Sequence, residues 1–168
     1  MGAVDASRSV AHRVLASGRS LLLYPGGSRE IFKTVPSSEQ RATDVILQPR
    51  KGFVKLALQY GTPLVPVAVF GERDCYTKLS VPAAIGKWSL AVLRMPLLIF
   101  WGRWGTLMPR PEPLGVVFGA PLPVPCIADP SQADIDRVHG QYVAAYQSLW
   151  EGYKSKFGYE AEDTLNIL

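Results

Sequence analysis

The run Leu21-Leu22-Leu23-Tyr24 ends abruptly at Pro25-Gly26-Gly27, and few backbones accommodate both halves of that pattern. Four large apolar residues in succession predict a short strand buried on both faces, as in a parallel sheet. Pro25 ends it, because proline offers no donor to a ladder. Gly26 and Gly27 then admit backbone angles closed to residues with a Cβ, so the chain can turn sharply and approach a ligand closely. Ser28, Arg29 and Glu30 follow directly. A hydroxyl, a guanidinium and a carboxylate thus leave the carboxyl end of a strand on one turn, where open α/β sheets build their sites. Taken alone, these residues also fit a plain connecting loop. The P-loop spacing Gly-x-x-x-x-Gly-Lys-Ser/Thr is absent, which sets a nucleotide-phosphate cradle aside.

Downstream, Arg50 and Lys51 precede Gly52-Phe53, and Phe53, Leu56, Ala57 and Tyr60 mark one helical face closed by Gly61. Two cations at the positive end of a helix add to a field that attracts anions. A second apolar strand, Pro63 to Phe70, ends at Gly71-Glu72. Strand, loop, helix and strand in this order predict a right-handed crossover between parallel strands, which would set Gly26 to Glu30 beside Gly71-Glu72 at one sheet edge. Around this unit the sequence predicts a short helix from Ser7 to Ser17 closed by Gly18, a polar loop from Lys33 to Thr43, and strands at Asp44 to Leu47 and Leu114 to Phe118. The last helix is signalled by Ser131 as N-cap, Asp134 three residues on, and apolar residues from Ile135 to Phe157 at helical spacing, up to Gly158.

At 168 residues the chain fits one domain. Charge placement is more informative than the net charge of +4, which gives no ground for a nucleic-acid partner. Cys75 to Pro111 holds five basic residues and no acidic one, whereas Asp129 to Leu168 holds seven acidic against three basic. One surface is therefore expected to meet an anionic or lipid partner. Trp88 to Trp101 is apolar, yet its 14 residues, with Arg94 and Pro96 inside, fall short of the roughly 20 that span a bilayer. Trp88, Trp101 and Trp104 beside Lys87 and Arg103 suit a segment lying in the headgroup layer, with a kinked core element as the alternative. Two cysteines and two histidines, none at ligand spacing, predict no disulfide framework and no metal site. Residues 1 to 15 lack the apolar core of a signal peptide.

Four blocks, Tyr24-Pro25-Gly26-Gly27-Ser28-Arg29-Glu30, Arg50-Lys51-Gly52-Phe53-Val54-Lys55-Leu56-Ala57, Leu64-Val65-Pro66-Val67 with Phe70-Gly71-Glu72, and Val116-Val117-Phe118-Gly119 with Pro121, resemble the type-2 diacylglycerol acyltransferase family. That family also includes monoacylglycerol and wax-alcohol acyltransferases. The resemblance implies transfer of a fatty acyl group from acyl-CoA to the free hydroxyl of diacylglycerol, at the cytosolic face of the endoplasmic reticulum membrane and on lipid droplets. It implies no cofactor, acyl-CoA being a substrate. The implied fold is α/β, a mostly parallel sheet flanked by helices, glycerolipid-acyltransferase-like and incomplete at its N-terminal edge. Residues 1–168 would then be a single acyltransferase domain, the C-terminal portion of a larger enzyme.

The resemblance places substrate binding at Tyr24, Pro25, Gly26, Gly27, Ser28, Arg29, Arg50, Lys51, Gly52, Phe53, Phe70 and Gly71. Arg29, Arg50 and Lys51 would face the coenzyme A phosphates or the thioester carbonyl. The family's His-Pro-His-Gly motif, whose histidine takes the hydroxyl proton, is absent: His12 is followed by Arg-Val-Leu-Ala and His139 by Gly-Gln-Tyr-Val. No residue is therefore assigned as base, and Glu30 and Glu72 are the candidate acids for orienting an imidazole supplied from elsewhere. The alternative is a non-catalytic lipid- or acyl-CoA-binding module or a regulatory partner of such an enzyme. An incomplete sheet would expose apolar surface and favour homo-oligomers.

Overall fold

The computed structural model describes residues 3–5, 7–27, 42–79 and 99–168. Of the expected features, residues 28–30, 33–41 of the polar loop and 88–98 of the tryptophan-rich stretch lie outside it. The described elements are, in order, α1 (Arg8–Ala16), β1 (Ala42–Val45), α2 (Gly52–Tyr60), β2 (Val67–Phe70), β3 (Thr77–Leu79), β4 (Ile99–Trp101), β5 (Gly115–Phe118), α3 (Gln132–Tyr153) and β6 (Thr164–Ile167). Short 3-10 turns cover Glu72–Asp74, Arg103–Gly105 and Lys154–Phe157.

The fold is mixed α/β, and its strands form pairs. β1 runs parallel to β6, with Ala42 opposite Thr164 and Val45 opposite Ile167. β2 is antiparallel to β5 and β3 to β4. The mostly parallel sheet expected from the sequence is thus corrected among the described residues, where one pairing of three is parallel. The reason lies at residues 21–24, which have no regular structure and leave Leu22 67% and Tyr24 76% exposed. A strand exists only through the N–H and C=O groups of a neighbour, and an apolar run without one gains nothing by extending. β2 pairs with β5 instead, and an isolated bridge between Leu64 and Leu122 prolongs the contact.

α3 carries both halves of the core. At 22 residues it is about 33 Å long, enough to pack on two separate clusters. Near its start Ile135 and Val138 meet Val54, Ala57 and Leu58 of α2. Toward its end Trp150 meets Ala68 and Phe70 of β2 and Tyr159. Phe70 is fully buried, stacked flat on Phe157 with centroids 4.7 Å apart and edge-on to Tyr159. No helix among the described residues is long and apolar enough to cross a membrane.

Candidate functional site

The Pro25-Gly26-Gly27 segment is a turn closed by the Gly27 N–H donating to the Tyr24 carbonyl at 3.2 Å. Gly27 sits at φ 62 with open space where a Cβ would project, while Gly26 is buried. Arg50 reaches it: Nη2 donates to the Gly26 carbonyl at 3.4 Å. The Arg50 backbone N–H donates to Leu47 O at 3.0 Å, fixing the guanidinium's origin just ahead of α2. Its Nε is buried with no hydrogen-bond partner among the described residues. Two sequence blocks, 24 residues apart, thereby meet in one place.

The start of α2 carries no cap or acid of its own. Lys51 occupies the N-cap without a side-chain cap bond, and the first turn holds no acidic residue. The helix dipole and Arg50 therefore act together on whatever approaches, the arrangement that favours anions and developing oxyanions. Lys51 itself is engaged: its Nζ pairs with Asp136 of α3 at 2.8 Å. That ion pair, with a second hydrogen bond from Gln132, holds the Asp136 carboxyl below its ordinary range. Both partners are well exposed, so the pair contributes little to stability and can open toward a ligand. Gly52 is exposed, with nothing near the position of a Cβ. Phe53 turns inward, edge-on to Tyr142 at 5.1 Å and 6.3 Å from the His139 ring.

The second predicted group has a different setting. Gly71 is buried at φ 83, and a Cβ there would fall 2.1 Å from Pro113 O. Its N–H donates to the Tyr159 hydroxyl at 3.2 Å and its carbonyl accepts from the Cys75 thiol at 3.6 Å. Phe70 belongs to the core described above, and Glu72 opens an exposed 3-10 turn. Burial pushes the Cys75 thiol up, reinforced by the negative charges of Glu112, Asp74 and Glu72. Gly26 thus meets Arg50, whereas Gly71 meets Pro113 and Tyr159. The shared sheet edge expected to join the two turns does not form among the described residues, because residues 21–24 supply no strand. Ser28, Arg29 and Glu30 lie outside the described residues.

Neither histidine stands free. His139 is 4% exposed with Nε2 3.0 Å from Leu47 O. His12 Nδ1 lies 2.9 Å from the Tyr60 hydroxyl and ties α1 to α2. No sequence signal points to these bonds, nor to Asp136 beside Lys51 or Tyr159 beneath Gly71, since each joins residues at least 48 apart.

Compared with known families, the chain matches the diacylglycerol acyltransferase family over residues 1–168. The chain belongs to that family. Among curated proteins it is 33% identical over 181 residues to acyl-CoA wax alcohol acyltransferase 2 of Homo sapiens, covering 99% of this chain and 53% of that protein. It is 36% identical over 165 residues to diacylglycerol O-acyltransferase 2 of Danio rerio, covering 90% of this chain and 44% of the relative. A third relative, 2-acylglycerol O-acyltransferase 3 of Homo sapiens, is 33% identical over 165 residues, 90% of this chain and 46% of that one. The chain spans about half the length of the curated relatives it matches. No solved structure matches. In this family member, the block at Arg50 to Ala57 builds the α2 end that holds the glycine-rich turn.

Proposed function

We propose that these residues are part of an O-acyltransferase that moves a fatty acyl group from acyl-CoA to the free hydroxyl of a diacylglycerol. We place it at the cytosolic face of the endoplasmic reticulum and on lipid droplets, with a glycerolipid-acyltransferase-like fold that a longer protein completes. The observation that supports this reading is the meeting of Arg50 with the Gly26 carbonyl just ahead of the uncapped N-terminus of α2. In the reaction the acceptor oxygen attacks the thioester carbonyl, the C–S bond breaks, and coenzyme A leaves as the thiolate that takes up the released proton. Arg50 and the first N–H groups of α2 suit the coenzyme A phosphates or the carbonyl oxygen as it gains charge. Lys51 joins them when Asp136 releases it, and Arg29 is assigned to the same group. The base is assigned to a His-Pro-His-Gly histidine outside these residues, with Glu30 or Glu72 orienting its imidazole.

Labelled acyl-CoA and diacylglycerol, supplied with microsomes, test the proposal. This chain is compared with the same chain joined to the motif-bearing portion of a relative. We expect label in triacylglycerol from the joined form and from its Lys51→Arg variant, and a loss of about tenfold or more for Arg50→Ala. Transfer by the unjoined chain at the same rate would put the base within these residues. A second reading, an acyl-CoA-binding module without turnover, is favoured by the engagement of both histidines. Saturable acyl-CoA binding by a joined form that never transfers would establish it.

A further inference from the structure

Between Trp101 and Arg110 the backbone is tied tightly to itself while its large apolar side chains face outward. Gly102 N–H donates to Thr106 O and Arg103 N–H to Met108 O, each at 2.7 Å. The Thr106 hydroxyl donates to Arg103 O at 2.8 Å and accepts from the Met108 N–H at 3.1 Å. A Cβ on Gly102 would fall 1.9 Å from Met108 O, so the loop is drawn closer than any other residue allows. Its base is anchored as well. Arg110 donates from its backbone to Cys75 O and from its guanidinium to Asp74 O and the Thr77 hydroxyl. Tyr76 packs edge-on to Phe100 at 5.2 Å and donates to Leu107 O.

This rigid frame holds Trp104 at φ 57, the one non-glycine residue at positive φ among the described residues. Holding a bulky residue there costs about 1–2 kcal/mol, and burial in the chain returns little of it, since Trp104 is 76% and Leu107 71% exposed. Met108 is exposed in the same loop. The Arg103 guanidinium lies 4.1 Å over the Trp104 ring. An indole with a guanidinium against its face is the chemistry of the lipid headgroup layer, where the ring lies among carbonyls and the cation reaches phosphates. The charge within the loop is positive too: Ile99 to Pro111 holds Arg103 and Arg110 and no acid, with Asp74 and Glu112 flanking its base.

We propose that loop 102–108 docks on a lipid bilayer, seating Trp104, Leu107 and Met108 in the headgroup layer with Arg103 on the phosphates. The site is separate from the Gly26–Arg50 group, so binding without transfer and transfer without binding are distinguishable results. The test is flotation of the full chain with vesicles of phosphatidylcholine and phosphatidylserine, together with quenching of tryptophan fluorescence by bromine-labelled acyl chains. The unaltered chain should float, and Trp104→Ala or Leu107→Ser should lower partitioning about tenfold. Trp104→Ala should also remove a quenched share of the emission, while Trp104→Phe keeps most of the binding. Trp104→Gly separates docking from folding, since it relieves the backbone: its unfolding midpoint should hold or rise while binding falls. Equal flotation of the Trp104 and Leu107 variants would overturn the proposal. So would Trp104-dependent association between copies of the chain without vesicle binding.

Discussion

At Gly71 a positive φ coincides with a carbonyl oxygen where a Cβ would project. Gly71→Ala therefore adds a backbone clash to left-handed strain, and urea unfolding should report a loss of about 3 kcal/mol or more. An unchanged midpoint would contradict this placement of Pro113. Gly27 shares the sign of φ but has open space around it. Gly27→Ala should lose only about 1 kcal/mol, so a larger effect on transfer than on stability would mark close approach of a ligand. The two cysteines should separate in reactivity. Cys75 is buried, and desolvation together with Glu112, Asp74 and Glu72 raises its thiol, whereas Cys126 is exposed. Near neutral pH a maleimide should label one thiol quickly, and Cys126→Ser should abolish that fast phase.

Among the elements, α3 was legible in the sequence and residues 21–24 were not. Helix signals are local: Ser131 accepts from the Asp134 N–H and Asp134 accepts from Ser131, closing the capping box that the spacing predicts. Ser131→Ala should cost about 1 kcal/mol by thermal unfolding. The acid limb carries a further signature. Asp134 is held below the ordinary 3.8 chiefly by the Ser131 side chain, and Asp136 chiefly by Lys51. A folded value below the unfolded one means the contribution is complete above the unfolded value and lost as pH falls through the folded one. These exposed groups should therefore add a small loss of stability below about pH 4, smaller still in Ser131→Ala and in Lys51→Met. Equal slopes in all three chains would rule these bonds out as the cause. No such local rule governs a strand. Pro63 to Phe70 reads as a strand and yields β2 over Val67–Phe70, while the equally apolar Leu21 to Tyr24 yields none, because a ladder needs a second chain segment that composition cannot name.

On the scale of the whole molecule, the β2–β5 pair is apolar on both faces. Its register sets Ala68 against Val117 and Phe70 against Gly115 toward the core, with Val67 opposite Phe118 and Val69 opposite Val116 on the other side. Val116 and Phe118 are exposed there, as are Leu22 and Tyr24 elsewhere. The isolated chain should elute above its 18.4 kDa by light-scattering chromatography, and Val116→Thr with Phe118→Thr should shift it toward monomer. A monodisperse monomer without detergent would contradict that expectation. By itself the sequence determined the family, the helices with their caps, the turn glycines and the basic, apolar middle, because each is written in a contiguous string or a fixed spacing. The tertiary structure alone decided which strand β2 meets, that Arg50 bonds the Gly26 carbonyl, that Lys51 is taken up by Asp136, and that Tyr159 supports Gly71. Those partners lie 24 to 88 residues apart, and only the folded backbone selects one carbonyl, carboxylate or hydroxyl among the many that chemistry alone would accept.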